Sequence, residues 1–158
     1  IDAFVATAST GGTISGVAKR LKENDPNIKI ILADPEGSVY KAFFEGKEDY
    51  KSYKKSFYVE GAGKGSPCAT MNFDILDEAV SFSDEKAIEM VLRLARQEGL
   101  MVGGSSGGNV WAALEVAKRM EAPAKIVTVL PDTGFKYLSK IFNPNWLKEI
   151  GLGHLAAD

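Results

Sequence analysis

What this sequence has little of narrows it first. Its 158 residues hold a single cysteine, Cys68, and a single histidine, His154. One cysteine closes no disulfide within the chain, so the expected setting is the reducing cytoplasm. No metal site is expected. No apolar run approaches the roughly 18 residues that span a bilayer, and no signal peptide is visible, so no membrane partner is expected. Excess positive charge is missing too, with 19 Lys+Arg against 21 Asp+Glu and a net charge of −2. The one basic run, Lys51, Lys54 and Lys55, reads as a solvated face, and a net acidic chain binds nucleic acid poorly. There is no initiator methionine. The chain starts Ile1-Asp2-Ala3-Phe4-Val5-Ala6, inside an apolar run, as a fragment of a longer protein would.

What is present is ordinary for a globular domain: 45% hydrophobic and 25% charged residues. The length suits one domain with a sizeable core. Apolar runs alternate with helical periods. Strands are predicted at Ile1–Ala6, Ile28–Ala33, Phe57–Glu60, Glu78–Phe82, Leu100–Val102 and Lys125–Leu130. Ile14, Val17, Ala18 and Leu21 fall on one face of a helix, as do Ile88, Val91, Leu92 and Ala95, with Ser83 as cap and Gly99 as stop. Val110, Ala113, Leu114 and Ala117 predict a third apolar face. A short helix is expected near Val39–Glu45, and the tail Phe135–Ile150 reads as helical in two pieces broken near Pro144.

Strands separated by such helices imply an α/β fold, a mostly parallel sheet with helices on both faces in three layers. In such sheets ligands bind beyond the carboxyl ends of the strands. Three loops leave strand ends with unusual chemistry: 7–13, 103–108 and 131–134. They should share one edge.

The first, Ser9-Thr10-Gly11-Gly12-Thr13, joins a strand to a helix. Unpaired N–H groups at a helix start attract anions, adjacent glycines allow close approach, and hydroxyls add donors. A phosphate is the expected ligand. A Walker loop does not fit, because no Gly-Lys-[Ser/Thr] follows at the required spacing. Gly11, Gly12 and Gly16 also miss the Rossmann spacing. Asp34 nevertheless ends the second strand where a ribose-binding acid would stand, so a nucleotide-binding domain is the competing reading. The second loop, Gly103 to Gly108, reads equally as another anion cradle or as a close-packed turn.

Taken together, FVATASTGGTISG at Phe4–Gly16, VEGAG at Val59–Gly63, VGGSSG at Val102–Gly107 and LPDTGFKYLSK at Leu130–Lys140 make a recognisable pattern. It resembles the C-terminal half of the cysteine synthase and cystathionine β-synthase family, pyridoxal 5′-phosphate enzymes with the fold of the tryptophan synthase β chain. The resemblance implies that Ser9, Thr10, Gly11, Gly12 and Thr13 hold the cofactor's phosphate, with Ser9 where the family usually has glycine. It implies that Ser105 hydrogen-bonds the pyridine nitrogen. A neutral hydroxyl does not keep that nitrogen protonated, which favours elimination and β-replacement over transamination. Gly61, Ala62 and Gly63 match a loop bordering the substrate, and Pro131 and Asp132 fall near the ring nitrogen.

The family's Schiff-base lysine belongs to the half N-terminal to Ile1. Lys54, Lys55, Lys64 and Lys136 all read as solvated. Residues 1–158 are therefore expected to be the C-terminal, phosphate-binding domain of a longer enzyme, with no catalytic residue of their own and no activity alone. The resemblance leans toward cystathionine β-synthase (serine and homocysteine) over cysteine synthase (O-acetylserine and sulfide), with amino-acid and thiol substrates and a homodimer when intact. His154 reads as frayed surface, Cys68 as an unactivated thiol, and Trp111 and Trp146 as packing residues.

Overall fold

A computed structural model describes residues 1–156. Strands β1 (Ala3–Thr7), β2 (Lys29–Pro35), β3 (Glu78–Phe82) and β4 (Ile126–Thr128) form one sheet, parallel throughout, in the order β3-β2-β1-β4. β1 runs beside β2 from Ala3↔Lys29 to Thr7↔Ala33, and beside β4 only from Ala3↔Ile126 to Val5↔Thr128. Alternation along the strands sorts the core into two faces. Phe4, Ala6, Ile30 and Leu32 pack with Ile14 and Ala18 of α1 (Gly12–Asn24) and with Tyr40 of α2 (Tyr40–Phe44). Ala3, Val5, Ile31 and Ala33 pack on the other side with Ala112 and Val116 of α4 (Gly104–Ala117). Helix α3 (Asp84–Glu98) lies against α4 and shares a third cluster with α5 (Pro144–Glu149). The expected three-layer α/β architecture is thus present.

Helix α3 starts and ends as its sequence dictates. The Ser83 hydroxyl accepts the Lys86 N–H at 3.3 Å, Asp84 and Glu85 occupy the first turn, and Gly99 ends the helix in the left-handed region. The tail divides as expected into a 3₁₀ turn at Gly134–Tyr137 and α5, with Pro144 at the start of that helix.

Four expectations need correction. Phe57–Glu60 is not a strand: the Tyr58 and Val59 N–H groups donate to the Asp84 carboxylate at 2.9 and 3.0 Å instead of to a neighbouring chain. Leu100–Val102 is not a strand of the sheet either. It makes one antiparallel bridge, Val102↔Thr133, and the Met101 carbonyl accepts the Gly134 N–H at 2.9 Å. The glycine stretch 103–108 is no turn, because α4 begins at Gly104.

The fourth concerns the buried face of α4. It consists of Ser105, Ser106, Asn109, Ala112 and Val116, whereas Leu114 is 44% exposed. A hydroxyl and amide face replaced the expected apolar stripe, and Gly107 and Gly108 explain why. A Cβ at Gly107 would lie 2.1 Å from the Ala87 carbonyl oxygen, and one at Gly108 would lie 2.4 Å from the Phe82 ring. These glycines let α4 sit close against α3 and the end of β3, so Gly107 and Gly108 serve helix packing.

Candidate cofactor site

The three loops meet. A cavity of about 430 Å³ opens at the carboxyl ends of β1 and β4, lined by residues 7–14, Glu60, Gly61, Ser105, Val129, Pro131, Asp132 and Tyr137. Its volume is within the range that holds small ligands.

One wall is the start of α1. Gly11 stands just before the helix with φ +84°, and no side chain caps the helix there. The first N–H groups of α1 are therefore free of side-chain partners and carry the positive end of the helix dipole, which suits an anion. Gly11 is also forced sterically, since a Cβ would come within 2.4 Å of Met71 Sδ. Ser9, Thr10, Gly11, Gly12 and Thr13 all line the cavity. Their backbone is held from outside: the buried Tyr40 hydroxyl donates to the Ser9 carbonyl at 2.5 Å, and the Thr70 hydroxyl donates to the Thr10 carbonyl.

Across the cavity stands Ser105, in the first turn of α4 and only 5% exposed. Beside it, Asp132 accepts the Tyr137 hydroxyl on Oδ2 at 2.9 Å, with Lys136 Nζ at 3.5 Å from the same oxygen. Burial, with the hydrogen bond to Asp132, pushes the Tyr137 phenol up to about 12, so Tyr137 keeps its proton. The other carboxylate oxygen, Asp132 Oδ1, is buried without a partner.

Of the proposed substrate loop, Gly61 lines the cavity, while Ala62 is buried in the core. Gly63 donates its N–H to the Ala8 carbonyl at 2.7 Å, stitching this loop to the phosphate loop.

Glu60, Val129 and Tyr137 were not foreseen. Tyr137 reaches Asp132 only through the 3₁₀ turn at Gly134–Tyr137, which no apolar period announces.

Asp34 lies elsewhere. It is buried, accepts the Lys41 N–H at 2.9 Å, and does not line the cavity. Burial raises its carboxyl to about 6, above the ordinary 3.8. It anchors the start of α2 away from the cavity, which removes the acid that the dinucleotide reading needed there.

A larger groove of about 870 Å³ runs between α2, residues 47–56 and the start of α3. Its charges answer one another, Lys41 and Lys47 pairing with Glu45, and none of the expected site residues lines it.

His154 is exposed, with Nε2 3.0 Å from Glu85 Oε1, so it ties the tail to α3 rather than fraying. Cys68 is half-buried. Its contact with the Thr70 hydroxyl at 3.3 Å, with nearby N–H groups, holds the thiol below its ordinary value. Lys54, Lys55, Lys64 and Lys136 are exposed, and Trp111 and Trp146 pack against the hydrophobic clusters. Among the described residues no group of His, Cys, Asp and Glu could hold a metal ion, and no helix is long and apolar enough to cross a membrane.

Comparison with known proteins agrees with this geometry. Residues 1–132 match the model of the pyridoxal-phosphate dependent enzyme family, and the chain belongs to that family. Its relatives within the family include cystathionine β-synthases and cysteine synthases. The chain is 38% identical to the cystathionine beta-synthase of Apis mellifera over 151 residues, covering 96% of this chain and 29% of that protein. It is 37% identical to cysteine synthase 1 of Emericella nidulans over 155 residues, 96% of this chain and 42% of that protein. The crystal structure of O-ureido-L-serine synthase superposes with a TM-score of 0.80 at 26% identity, over 90% of this chain and 43% of that one. The chain thus spans less than half the length of these relatives. The family and these synthases use pyridoxal phosphate, and the fold is that of the tryptophan synthase β-like enzymes.

Proposed function

We propose that residues 1–158 are the C-terminal, cofactor-phosphate-holding domain of a β-replacement enzyme, a cystathionine β-synthase acting on serine and homocysteine. One observation carries this reading: an uncapped helix start with Gly11 in the left-handed region faces a neutral serine, Ser105, across one cavity.

The residues fit pyridoxal phosphate. Ser9 to Thr13 would hold its phosphate, and Ser105 would meet its ring nitrogen. The cavity volume leaves room for a ligand of that size. Bound there, the cofactor would supply an electron sink for amino-acid carbanions. The chain's own residues do the rest. The α1 N–H groups and the Thr10 and Thr13 hydroxyls would bind and orient the anion. Ser105 offers a hydroxyl and no negative charge, so it would not hold the ring nitrogen of a bound cofactor protonated and would temper the sink. Tyr137, with its proton retained, fixes the Asp132 carboxylate beside the ring side of the cavity. Gly61 and the Glu60 side form the rim toward the substrate.

The lysine that joins the cofactor belongs, on this reading, to a part of the enzyme outside residues 1–158, so these residues alone are inactive. The intact protein is a cytoplasmic homodimer. The Val59-Glu60-Gly61 turn and the Pro131–Lys140 segment favour cystathionine β-synthase. The cysteine synthase reaction, from O-acetylserine and sulfide, is the second reading, because both kinds of relative match at similar identity.

Assays of the intact enzyme with each substrate pair decide the reaction. Faster turnover of serine with homocysteine is expected, and faster turnover of O-acetylserine with sulfide would identify the second. In the same enzyme, Ser105→Asp should retain cofactor while kcat falls on the order of a hundredfold, because a carboxylate would hold the ring nitrogen protonated. Undiminished turnover would remove Ser105 from the ring-nitrogen role.

A further inference from the structure

The cavity exists because β1 and β4 part company. Their register, continued past Val5↔Thr128, would set Ala6 opposite Val129 and Thr7 opposite Leu130. In a parallel ladder every second residue bonds the neighbours of its partner, and Ala3, whose N–H donates to the Lys125 carbonyl, sets the odd residues of β1 toward β4, so the Thr7 N–H would reach the Val129 carbonyl directly. It does not. The Asn109 carboxamide stands between them: Oδ1 accepts the Thr7 N–H at 2.6 Å, and Nδ2 donates to the Val129 carbonyl at 2.9 Å. The two partners fix which end of the amide is oxygen, since the reverse orientation would set donor against donor and acceptor against acceptor.

Asn109 is fully buried on α4, one helical turn after Ser105 and on the same face. The residues it joins are Thr7, where the phosphate loop leaves β1, and Val129, two residues before Pro131-Asp132. Phosphate loop, ring-side serine and Pro-Asp turn are therefore all referenced to one side chain.

We infer that Asn109 is a positioning residue: an amide wedge that completes a broken ladder, holds β1 and the outgoing β4 chain apart, and fixes the distance between the phosphate loop and Ser105. The inference rests on the cofactor reading above. A simple backbone bond between Thr7 and Val129 would zip the strands together and narrow the cavity from its floor. An apolar residue would leave a buried donor and a buried acceptor unpaired, which is costly. Asparagine avoids both outcomes because it offers a donor and an acceptor at the right reach.

The consequence is specific to ligands that touch both anchors. Pyridoxal phosphate spans the phosphate loop and the ring side, whereas pyridoxal lacks the phosphate. The test uses the intact protein stripped of cofactor and measures the dissociation constants of both compounds. Their ratio reports the phosphate's contribution and cancels whatever the ring and any covalent attachment provide.

In Asn109→Ala the preference for pyridoxal phosphate over pyridoxal should fall about tenfold or more. Val116→Ala, which opens a cavity on the same helix away from the site, should leave the ratio within about twofold of wild type. If Asn109→Ala does not fold, Asn109→Ser serves, because its hydroxyl is too short to bridge both partners. An unchanged ratio in the Asn109 variant would overturn the inference while leaving the cofactor assignment intact. A wild-type protein that binds pyridoxal as tightly as pyridoxal phosphate would overturn the cofactor reading, and the inference with it.

Discussion

Asp34 shows how a single residue's burial redirects its meaning. As a charged residue ending a parallel strand it invites a ribose-binding role, yet it is 1% exposed and serves α2. Its carboxyl is raised by burial from 3.8 to about 6, so the folded state binds its proton more tightly than the unfolded chain does. Between those values the contribution of Asp34 to stability falls as pH rises. The energy involved is on the order of 3 kcal/mol. Relative to Asp34→Asn, the wild type should gain stability as pH is lowered from about 7 to about 4, followed by urea unfolding at each pH. A difference between the two that stays flat across that window would show that Asp34 is solvated.

At the scale of elements, the close approach of α4 to its neighbours is the controlling feature. A methyl at Gly107 meets the Ala87 carbonyl, which is backbone and cannot swing aside. Gly107→Ala should therefore cost about 1–3 kcal/mol of stability in urea unfolding. Gly16, inside α1 with nothing near its Cβ position, provides the contrast: Gly16→Ala should stabilise by roughly 0.4–1 kcal/mol. Equal effects at the two positions would contradict the packing described for α4.

The same helix shows why some of the structure could not be read from residues. Helices α1 and α3 carry conventional apolar faces, and α3 its Ser83 cap and Gly99 stop, so their ranges were legible from period and, for α3, from capping chemistry. The buried face of α4 is Ser105, Ser106, Asn109, Ala112 and Val116, so hydrophobicity pointed to the wrong side. Ser105 is buried there because it lines the cavity, and Asn109 because it bridges the split strands. Segment 57–60 misled for a different reason. Val59 does pack inward, but the Tyr58 and Val59 N–H groups are taken by the Asp84 carboxylate, a tertiary partner that no local pattern reveals.

For the molecule as a whole, the glycine loop and the Pro-Asp turn were legible as pieces of one site because the parallel strands β1 and β4 deliver their carboxyl ends to one edge, whereas Ser105 reaches it from the first turn of α4. Their convergence on one cavity followed from topology. The partners that hold them there, Asn109, Tyr40, Thr70 and Tyr137, were not legible, since each acts across a long stretch of chain or through an irregular turn. The short first residues, from Ile1 into β1, take on a clearer role in this light. They deliver Thr7 to Asn109 and the phosphate loop to the cavity, in a chain that spans less than half of its relatives.

Phosphorus NMR of the intact protein loaded with pyridoxal phosphate tests most directly whether the start of α1 holds the cofactor's phosphate. A phosphate gripped by helix N–H groups should remain dianionic, so its resonance should hold one position from about pH 5.5 to 8.5 and shift in Thr13→Val. A resonance that titrates near pH 6 like a solvated phosphate, and ignores Thr13→Val, would place the phosphate elsewhere.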